Sequence, residues 1–357
     1  MTIPTPIYRH DALEAFARQL LQRAGMPQDK AADVAQVLVE GELLGRTTHG
    51  YALLAPYLRE IEAGGMQLEG EPRVVNDFGA CLTWDGRKLP GPWLMRRATD
   101  EAMARARQFG MGAVALQRSH HAACLGAYLR RATEQGLLLY IALTDPGFSS
   151  VAPFGGTTPL LTSNPIAFGA PGGPGNAGPV HIDISTSMTT NGMVARMQAQ
   201  GRRFAQPWLL DNQGNASTDP GVITTTPPGS VLPLGGLDAG HKGYGIGLMV
   251  ELLSGCLSGH GRAEPKEGWS ASVFVLALEP AAFGGTEAFL KQAGWLADAC
   301  RAATPRPGVD KVGVPGDDSE ARRRQRMRTG VPLDATLMAA LEPWSVTFAV
   351  PLPPTMV

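Results

Sequence analysis

Apolar residues recur at helical spacing through the first part of the chain. Leu13, Phe16, Leu20 and Leu21 fall on one face of a helix that Asp11 can cap and Gly25 ends. Val34, Val37, Leu38 and Leu43 mark a second helix from about Asp29, and 53–63 reads as a third, closed by Gly64-Gly65. Between the second and third lies Gly45-Arg46-Thr47-Thr48-His49-Gly50, which puts a histidine in a break between helices. From Val74 the period changes. Runs 74–78 and 80–84 are short and β-rich, joined at Gly79; 91–108 reads as helix, 111–117 as strand, 122–135 as helix closed by Gly136, and 137–144 as strand. That alternation predicts an α/β fold. Further on, 151–163 is loop-like, 179–185 a strand, and 201–233 mostly turn with a short hairpin at Asp211-Asn212-Gln213-Gly214. A strand at 271–278, a helix at 286–302 and a charged helix at 319–328 follow, with no internal repeat.

The segment 235–247 interrupts this pattern with six glycines around His241-Lys242 before an apolar run. Glycine lets backbone N–H groups turn toward a ligand, and a helix start adds positive potential, so the segment reads as a cradle for a phosphate-bearing ligand with Lys242 as anion contact. It is neither a Walker loop nor a dinucleotide fingerprint. Gly173-Pro174-Gly175-Asn176-Ala177-Gly178 matches Gly-x-Gly-x-x-Gly, but it leads into a strand instead of a helix.

Composition narrows the class. The 357 residues are 44% hydrophobic, enough for a large core and two domains. Lys plus Arg number 31 against 32 Asp plus Glu, so charge gives no case for nucleic acid or a membrane surface, and a small molecule is the expected partner. Cys81, Cys124, Cys256 and Cys300 lie far apart, which argues against zinc ribbons and redox pairs. No signal peptide or membrane-length apolar run is read, and a cytoplasmic enzyme is expected.

Several residues can carry chemistry. His49, with an ordinary pKa near 6.5, can take or give a proton; the ordinary alternative is a helix-end cap. Ser119-His120-His121 lies just past a strand end, where α/β folds place ligands, and one of the two histidines is expected to be structural. No metal site is expected, because no carboxylate cluster accompanies the pair. Asp183 with Ser185, Thr186, Ser187, Thr189 and Thr190 is either a turn and cap or a set of partners for a sugar or amide. Asn164-Pro165 is a turn by default. Arg322-Arg323-Arg324, Arg326 and Arg328 form a solvated helix face or answer an extra cofactor phosphate.

Taken in order, these segments resemble one family: the malate/L-lactate dehydrogenase-like, NAD(P)-dependent oxidoreductases, distinct from the Rossmann-type lactate dehydrogenases. The resemblance rests on Thr48-His49-Gly50, Ser119-His120-His121, Thr162–Phe168, Ile182–Ser187, Leu232–Gly236 with Gly240–Gly245, and Pro315-Gly316-Asp317. It implies a non-Rossmann, mixed-sheet α/β nucleotide-binding domain over about 76–304, and a small helical domain over 1–75 completed by about 305–357. It implies His49 as the acid/base, Thr48 bonded to substrate, and His121 beside the nicotinamide, with Asn164 also toward substrate. Asp183, Ile184, Ser185, Thr186, Ser187, Met188, His241, Lys242, Gly316, Asp317 and Asp318 would line NAD or NADP, and the arginine run leans to NADP. Family members are homodimers with active sites near the interface. One departure stands out. The family places an arginine four residues after its histidine to hold the substrate carboxylate; here that residue is Leu53, with Arg46 and Arg118 as substitutes. The expected activity is hydride transfer between nicotinamide and a 2-hydroxy/2-oxo acid. The alternatives are cyclic imino-acid reduction and a nucleotide-binding homologue without turnover.

Overall fold

The structure, a computed structural model, describes residues 5–173, 178–266 and 268–356. A short strand, β1 (Ile7–Tyr8), leads into α1 (His10–Arg23) and α2 (Gln28–Leu44); a 3-10 turn at Tyr51–Leu53 then opens α3 (Leu54–Glu62). The amphipathic spacing is satisfied: Leu13, Phe16, Leu20 and Leu21 are buried along α1, and Val34, Val37, Leu38 and Leu43 along α2. Asp11 does not cap α1. The helix begins one residue earlier, and the Asp11 carboxylate pairs with Arg9 and accepts the Ala12 N–H instead. Gly45, with φ of 84°, ends α2 in the left-handed region and releases 46–50 to turn.

The next elements build the sheet: β2 (Arg73–Phe78), β3 (Cys81–Asp85), α4 (Gly91–Phe109), β4 (Met111–Ser119), α5 (Gly126–Thr133), β5 (Leu138–Thr144), β6 (Ile166–Ala170) and β7 (Val180–Ile184). An excursion follows, α6 (Asn191–Ala199) with a small sheet of β8 (Leu209–Leu210), β9 (Ala216–Ser217) and β10 (Ser230–Val231). Then α7 (Gly236–Glu251) leads to β11 (Ala271–Leu278), and α8 (Thr286–Arg301), α9 (Asp317–Thr329), β12 (Val331–Pro332) and α10 (Ala335–Phe348) close the chain.

Among the described residues the main sheet has seven strands in the order β2-β3-β4-β11-β5-β6-β7. Only β3 and β4 run parallel, joined through α4; every other pair is antiparallel. This is a mixed α/β sheet, not the doubly wound parallel sheet of Rossmann domains. β11 enters between β4 and β5 late in the chain, and Val273, Val275 and Ala277 on it are fully buried. α4 covers the sheet with Leu94, Met95, Ala98, Ala102 and Ala106, all without exposed surface; each Leu or Met buried this way contributes about 1.5–3 kcal/mol.

The two ends of the chain meet. β1 pairs with β12, α9 lies along α2, and α10 touches α1. One buried cluster runs from Leu13 on α1 through Leu94 on α4 to Val275 on β11, so the helical part and the sheet share a core. A second, smaller cluster holds Val151, Leu161, Val194, Phe204, Leu209 and Val231 under the excursion. Among the described residues no helix is long and apolar enough to cross a membrane. Of the Gly-x-Gly-x-x-Gly match, 174–177 lie outside the described residues.

The expected helix at 122–135 is shorter. It starts at Gly126 because Ala123 sits at φ of 56°, which a helix does not admit. α6 and α10 went unread: α6 carries one buried residue, and α10 contains Pro343.

Candidate active site

Register places five strand ends at one edge of the sheet. Ser119 at the end of β4 pairs with Ala271 at the start of β11, Thr144 at the end of β5 with Ser272, and Ile166 at the start of β6 with Ile184 at the end of β7. Loops leaving those ends carry His120-His121, Asp145, Trp269-Ser270, Ser163–Pro165 and Ser185–Thr190. The α2–α3 break lays Thr47-Thr48-His49 against this edge; a Cβ on Gly192, at the start of α6, would lie 3.3 Å from Thr48 Cβ.

Two cavities meet at His49. One, of about 510 Å3, is lined by Arg46, Asp183, Ile184, Ser185, Ser187 and Met188, with Met193, Trp208 and Leu234 opposite. The other, of about 650 Å3, is lined by Leu53, Leu143, His121, Phe148 and Trp269, with Glu60 and Asp145. Thr48, His49, Ala123, Leu125, Ser163, Pro165 and Thr190 belong to both. Thr48 Oγ1 lies 2.9 Å from His49 Nδ1, which fixes the ring and leaves Nε2 as the nitrogen for a reactant. The His49 ring stacks at 6.1 Å on His121, which stacks in turn at 4.7 Å on Trp269. Tyr57 Oη, 2.9 Å from His121 Nδ1 and 3.0 Å from its carbonyl, holds that ring.

Burial dominates the electrostatics. It pushes the His49 pKa below its ordinary value, Asp183 pulling up and Arg46 pushing down. Burial, reinforced by His49 and His120, holds His121 well below the ordinary range. His120 is brought down to about 4 by burial, against the upward pull of Glu60 at 3.3 Å, and it has no exposed surface. His120 is therefore the structural member of the pair. Burial raises Asp145 to about 6, although the Gly147 N–H bonds it at 2.9 Å.

The structure brings Thr48, His49, Arg46, His121, Asp183, Ile184, Ser185, Ser187 and Met188 to the paired cavities. Thr186 turns inward, its hydroxyl donating to the Ser163 carbonyl at 3.1 Å. Asp183 Oδ2 is partly engaged: it accepts the Gly126 N–H at 3.1 Å and lies 3.7 Å from Arg46 Nε.

Several residues singled out in the sequence lie away from these two cavities. Asn164 is fully buried and lines neither cavity. Its amide oxygen accepts from Thr144 at 3.0 Å and its nitrogen donates to Gly247 and Glu251, so it ties the 163–165 loop to α7. His241 and Lys242 are exposed and line neither cavity. The reason is steric: α7 buries Gly240, Gly243 and Gly247, and a Cβ on Gly243 would sit 2.2 Å from the Leu234 carbonyl oxygen. The glycines allow close helix packing and turn the His-Lys pair outward. Gly316, Asp317 and Asp318 also lie off the cavities. Gly316 packs on His181, the Asp317 carboxylate is held by Arg301 at 2.7 Å and the Val314 N–H at 2.9 Å, and Asp318 is exposed. Arg118, the second substitute for the missing arginine, is bonded to Asp85 at 2.9 Å. Three arginines of the run on α9 meet α2: Arg322 and Arg326 reach the Leu44 and Glu42 carbonyls, and Arg323 pairs with Glu40 at 2.6 Å, so α9 clasps the end of α2, while Arg324 and Arg328 are exposed.

Residues unread in the sequence complete the site. Trp269, Asp145, Glu60 and Phe148 line the second cavity, and Arg196 on α6 donates to Thr47 Oγ1 at 2.9 Å. The aromatic at Trp269, directly before an apolar strand and after Gly268, was the one available signal.

A mixed sheet with a half-buried histidine and hydroxyl where two cavities join makes a candidate enzyme site, and the comparisons give the class of the chain. The malate/L-lactate dehydrogenase family profile matches residues 8–342, so the chain belongs to that family. An L-lactate dehydrogenase from Cupriavidus necator is 33% identical over 327 residues, covering 88% of this chain and 90% of that protein. A malate dehydrogenase from Pyrococcus horikoshii is 29% identical, covering 90% of each chain. Among solved structures, malate dehydrogenase from Entamoeba histolytica superimposes with a TM-score of 0.92 at 25% identity, covering 98% of this chain and 100% of that one. A Δ1-piperideine-2-carboxylate reductase from Pseudomonas syringae shares the fold, with a TM-score of 0.82 at 24% identity over 95% of this chain and 100% of that one. The chain is thus an oxidoreductase acting on CH–OH groups, and membership implies a nicotinamide cofactor.

Proposed function

We propose that this protein oxidises a small 2-hydroxy acid, or reduces the corresponding 2-oxo acid, with NAD or NADP, and that His49 is the acid/base. The observation that carries this reading is the position of the Thr48–His49 pair where the two cavities join. The residues of the first cavity fit the cofactor. Asp183, Ser185 and Ser187 offer acceptors and hydroxyls for ribose and carboxamide, and Met188, Met193 and Leu234 an apolar surface for a ring. When bound, the nicotinamide supplies or accepts the hydride. The chain supplies the rest. Thr48 orients the imidazole, and His49 takes the hydroxyl proton during oxidation or returns it to the developing alkoxide during reduction. A positioned acid/base of this kind accounts for about 10²–10⁴-fold in rate.

The second cavity receives the substrate chain. Its walls are Leu53, Leu143, Phe148 and Trp269 with Glu60 and Asp145, and no Lys or Arg is among its described lining residues. A second carboxylate there would meet the carboxyl groups of Glu60 and Asp145 in the lining, with Lys88 and Arg262 acting on Asp145 from behind the wall, so a lactate-like chain is favoured over a malate-like one. We assign the C1 carboxylate to Arg46, whose side chain is 45% exposed toward the first cavity. Reduction of a cyclic imine is the second reading, because Glu60 and Asp145 suit a protonated ring nitrogen. We also propose a homodimer, supported by the exposed apolar residues Leu237, Leu248, Met249, Leu252 and Leu257 on and after α7.

The test is His49→Ala. The account expects NADH binding, read by its fluorescence, within a few-fold of wild type, and kcat lower by about 10²-fold or more. Near-wild-type turnover would remove His49 from the acid/base role.

A further inference from the structure

A second buried titratable group lies directly beneath the His49 turn. Glu42, in the last turn of α2, has no exposed surface. Its Oε1 accepts the Tyr51 N–H at 3.0 Å, and its Oε2 is buried with no hydrogen-bond partner. A Cβ on Gly50 would lie 2.6 Å from Oε1, so the backbone beside His49 is laid on the carboxyl group. On the preceding residue, a Cβ on Gly41 would lie 3.0 Å from both the Gly50 Cα and the His49 carbonyl oxygen. The α9 clasp fixes the other side, Arg326 donating to the Glu42 carbonyl and Arg322 to the Leu44 carbonyl. Glu42 thus joins a clamped helix end to the residue two positions after His49.

The orphaned oxygen needs explaining. A buried polar atom without a partner costs stability, and an apolar side chain of similar size would fill the space without that cost. We infer that Glu42 is a positioning residue: its carboxyl holds the turn that carries Thr48 and His49, more tightly when ionised than when protonated. The charge-assisted bond from the Tyr51 N–H to a carboxylate is the stronger one. Burial raises the group from an ordinary 4.5 to about 7, opposed by the Tyr51 N–H, by Arg326 from α9 and by Arg196 from α6. The switch therefore falls in the working pH range. From α1, the Leu13 carbonyl accepts the Tyr51 hydroxyl at 2.9 Å and adds no charge.

This inference rests on the assignment of His49 above, so the experiment separates the two. Wild type, Glu42→Gln, Glu42→Ala and His49→Ala are compared for kcat, KM and NADH affinity between pH 5.5 and 8.5. In wild type, kcat should fall as pH drops through about 7. Glu42→Gln keeps an acceptor for Tyr51 and should lose that limb, leaving only the His49 limb at lower pH. Glu42→Ala should lower kcat at least tenfold, with NADH affinity and KM moving less than threefold. Hydrogen exchange at the Tyr51 amide of the unaltered protein gives a second reading, and its protection factor should rise between pH 6 and 8. Wild-type kcat and an unchanged pH limb in Glu42→Gln, or Tyr51 protection independent of pH, would overturn the role of Glu42. Turnover retained in His49→Ala would overturn the underlying site assignment instead. If Glu42→Ala does not fold, the Gln variant and the Tyr51 amide decide.

Discussion

His49 works in surroundings that keep it neutral. Burial outweighs the attraction of Asp183, so the ring is the base form at neutral pH and is ready to accept a proton from an alcohol. The acid limb of kcat/KM for oxidation that belongs to His49 should therefore lie below pH 6.5, and an apparent pKa above 6.5 would contradict that environment. His120 makes the same argument for stability. Its folded pKa of about 4 lies below the unfolded value, so the folded state binds fewer protons and stability falls as pH drops from 6.5 toward 4. In urea titrations, wild type should lose stability over that interval relative to His120→Gln; parallel curves would deny His120 this cost. Arg46→Ala should raise KM for the 2-oxo acid at least tenfold with little change in NADH affinity, and an unchanged KM would move the carboxylate contact elsewhere. At this scale the sequence was informative. Thr48, His49 and most of the run after Asp183 stood out in the sequence, and they line the cavities. Glu42, Trp269 and Asp145 stayed hidden, because a buried acid in a helix and a tryptophan before a strand look like ordinary core and turn residues until pairing brings them together.

At the scale of elements, α7 carries the main lesson. Its glycines, with a lysine among them, match the composition of a phosphate cradle, and three of them also have a packing role that composition does not reveal. Gly240, Gly243 and Gly247 turn inward because the neighbouring backbone leaves no room for a Cβ. The structural role predicts a contrast between two glycines of one helix. Gly243→Ala, with Cβ 2.2 Å from the Leu234 carbonyl, should destabilise by about 1–3 kcal/mol or prevent folding. Gly245→Ala, with nothing within 4 Å in the single chain, should cost the fold of the chain nothing or gain it up to about 1 kcal/mol from helix propensity, any loss being confined to association through the α7 face. Denaturant midpoints of the two variants check this, and equal effects would mean that packing does not explain the glycines. Charge on α9 followed the same logic. Two arginines of the run, Arg322 and Arg326, cap carbonyls at the end of α2.

Across the whole molecule, the order β4-β11-β5-β6-β7 gathers loops from distant parts of the chain at one edge, and the N-terminal helices deliver His49 there. Local periodicity could place the strands but not insert β11 between β4 and β5, which is why half of the second cavity was illegible. The apolar face of α7 predicts a particle of twice the chain mass in sedimentation equilibrium, and a monomer at micromolar concentration would leave that face unexplained. The central claim is that the joined cavities turn over a 2-hydroxy acid with an uncharged chain. It is tested most directly by initial rates of NADH and NADPH oxidation with pyruvate, longer neutral 2-oxo acids, oxaloacetate, 2-oxoglutarate and Δ1-piperideine-2-carboxylate. The account predicts turnover of the neutral 2-oxo acids with kcat/KM at least tenfold above that of the dicarboxylates. A preference for oxaloacetate, or no turnover of any 2-oxo acid with either cofactor, would contradict it.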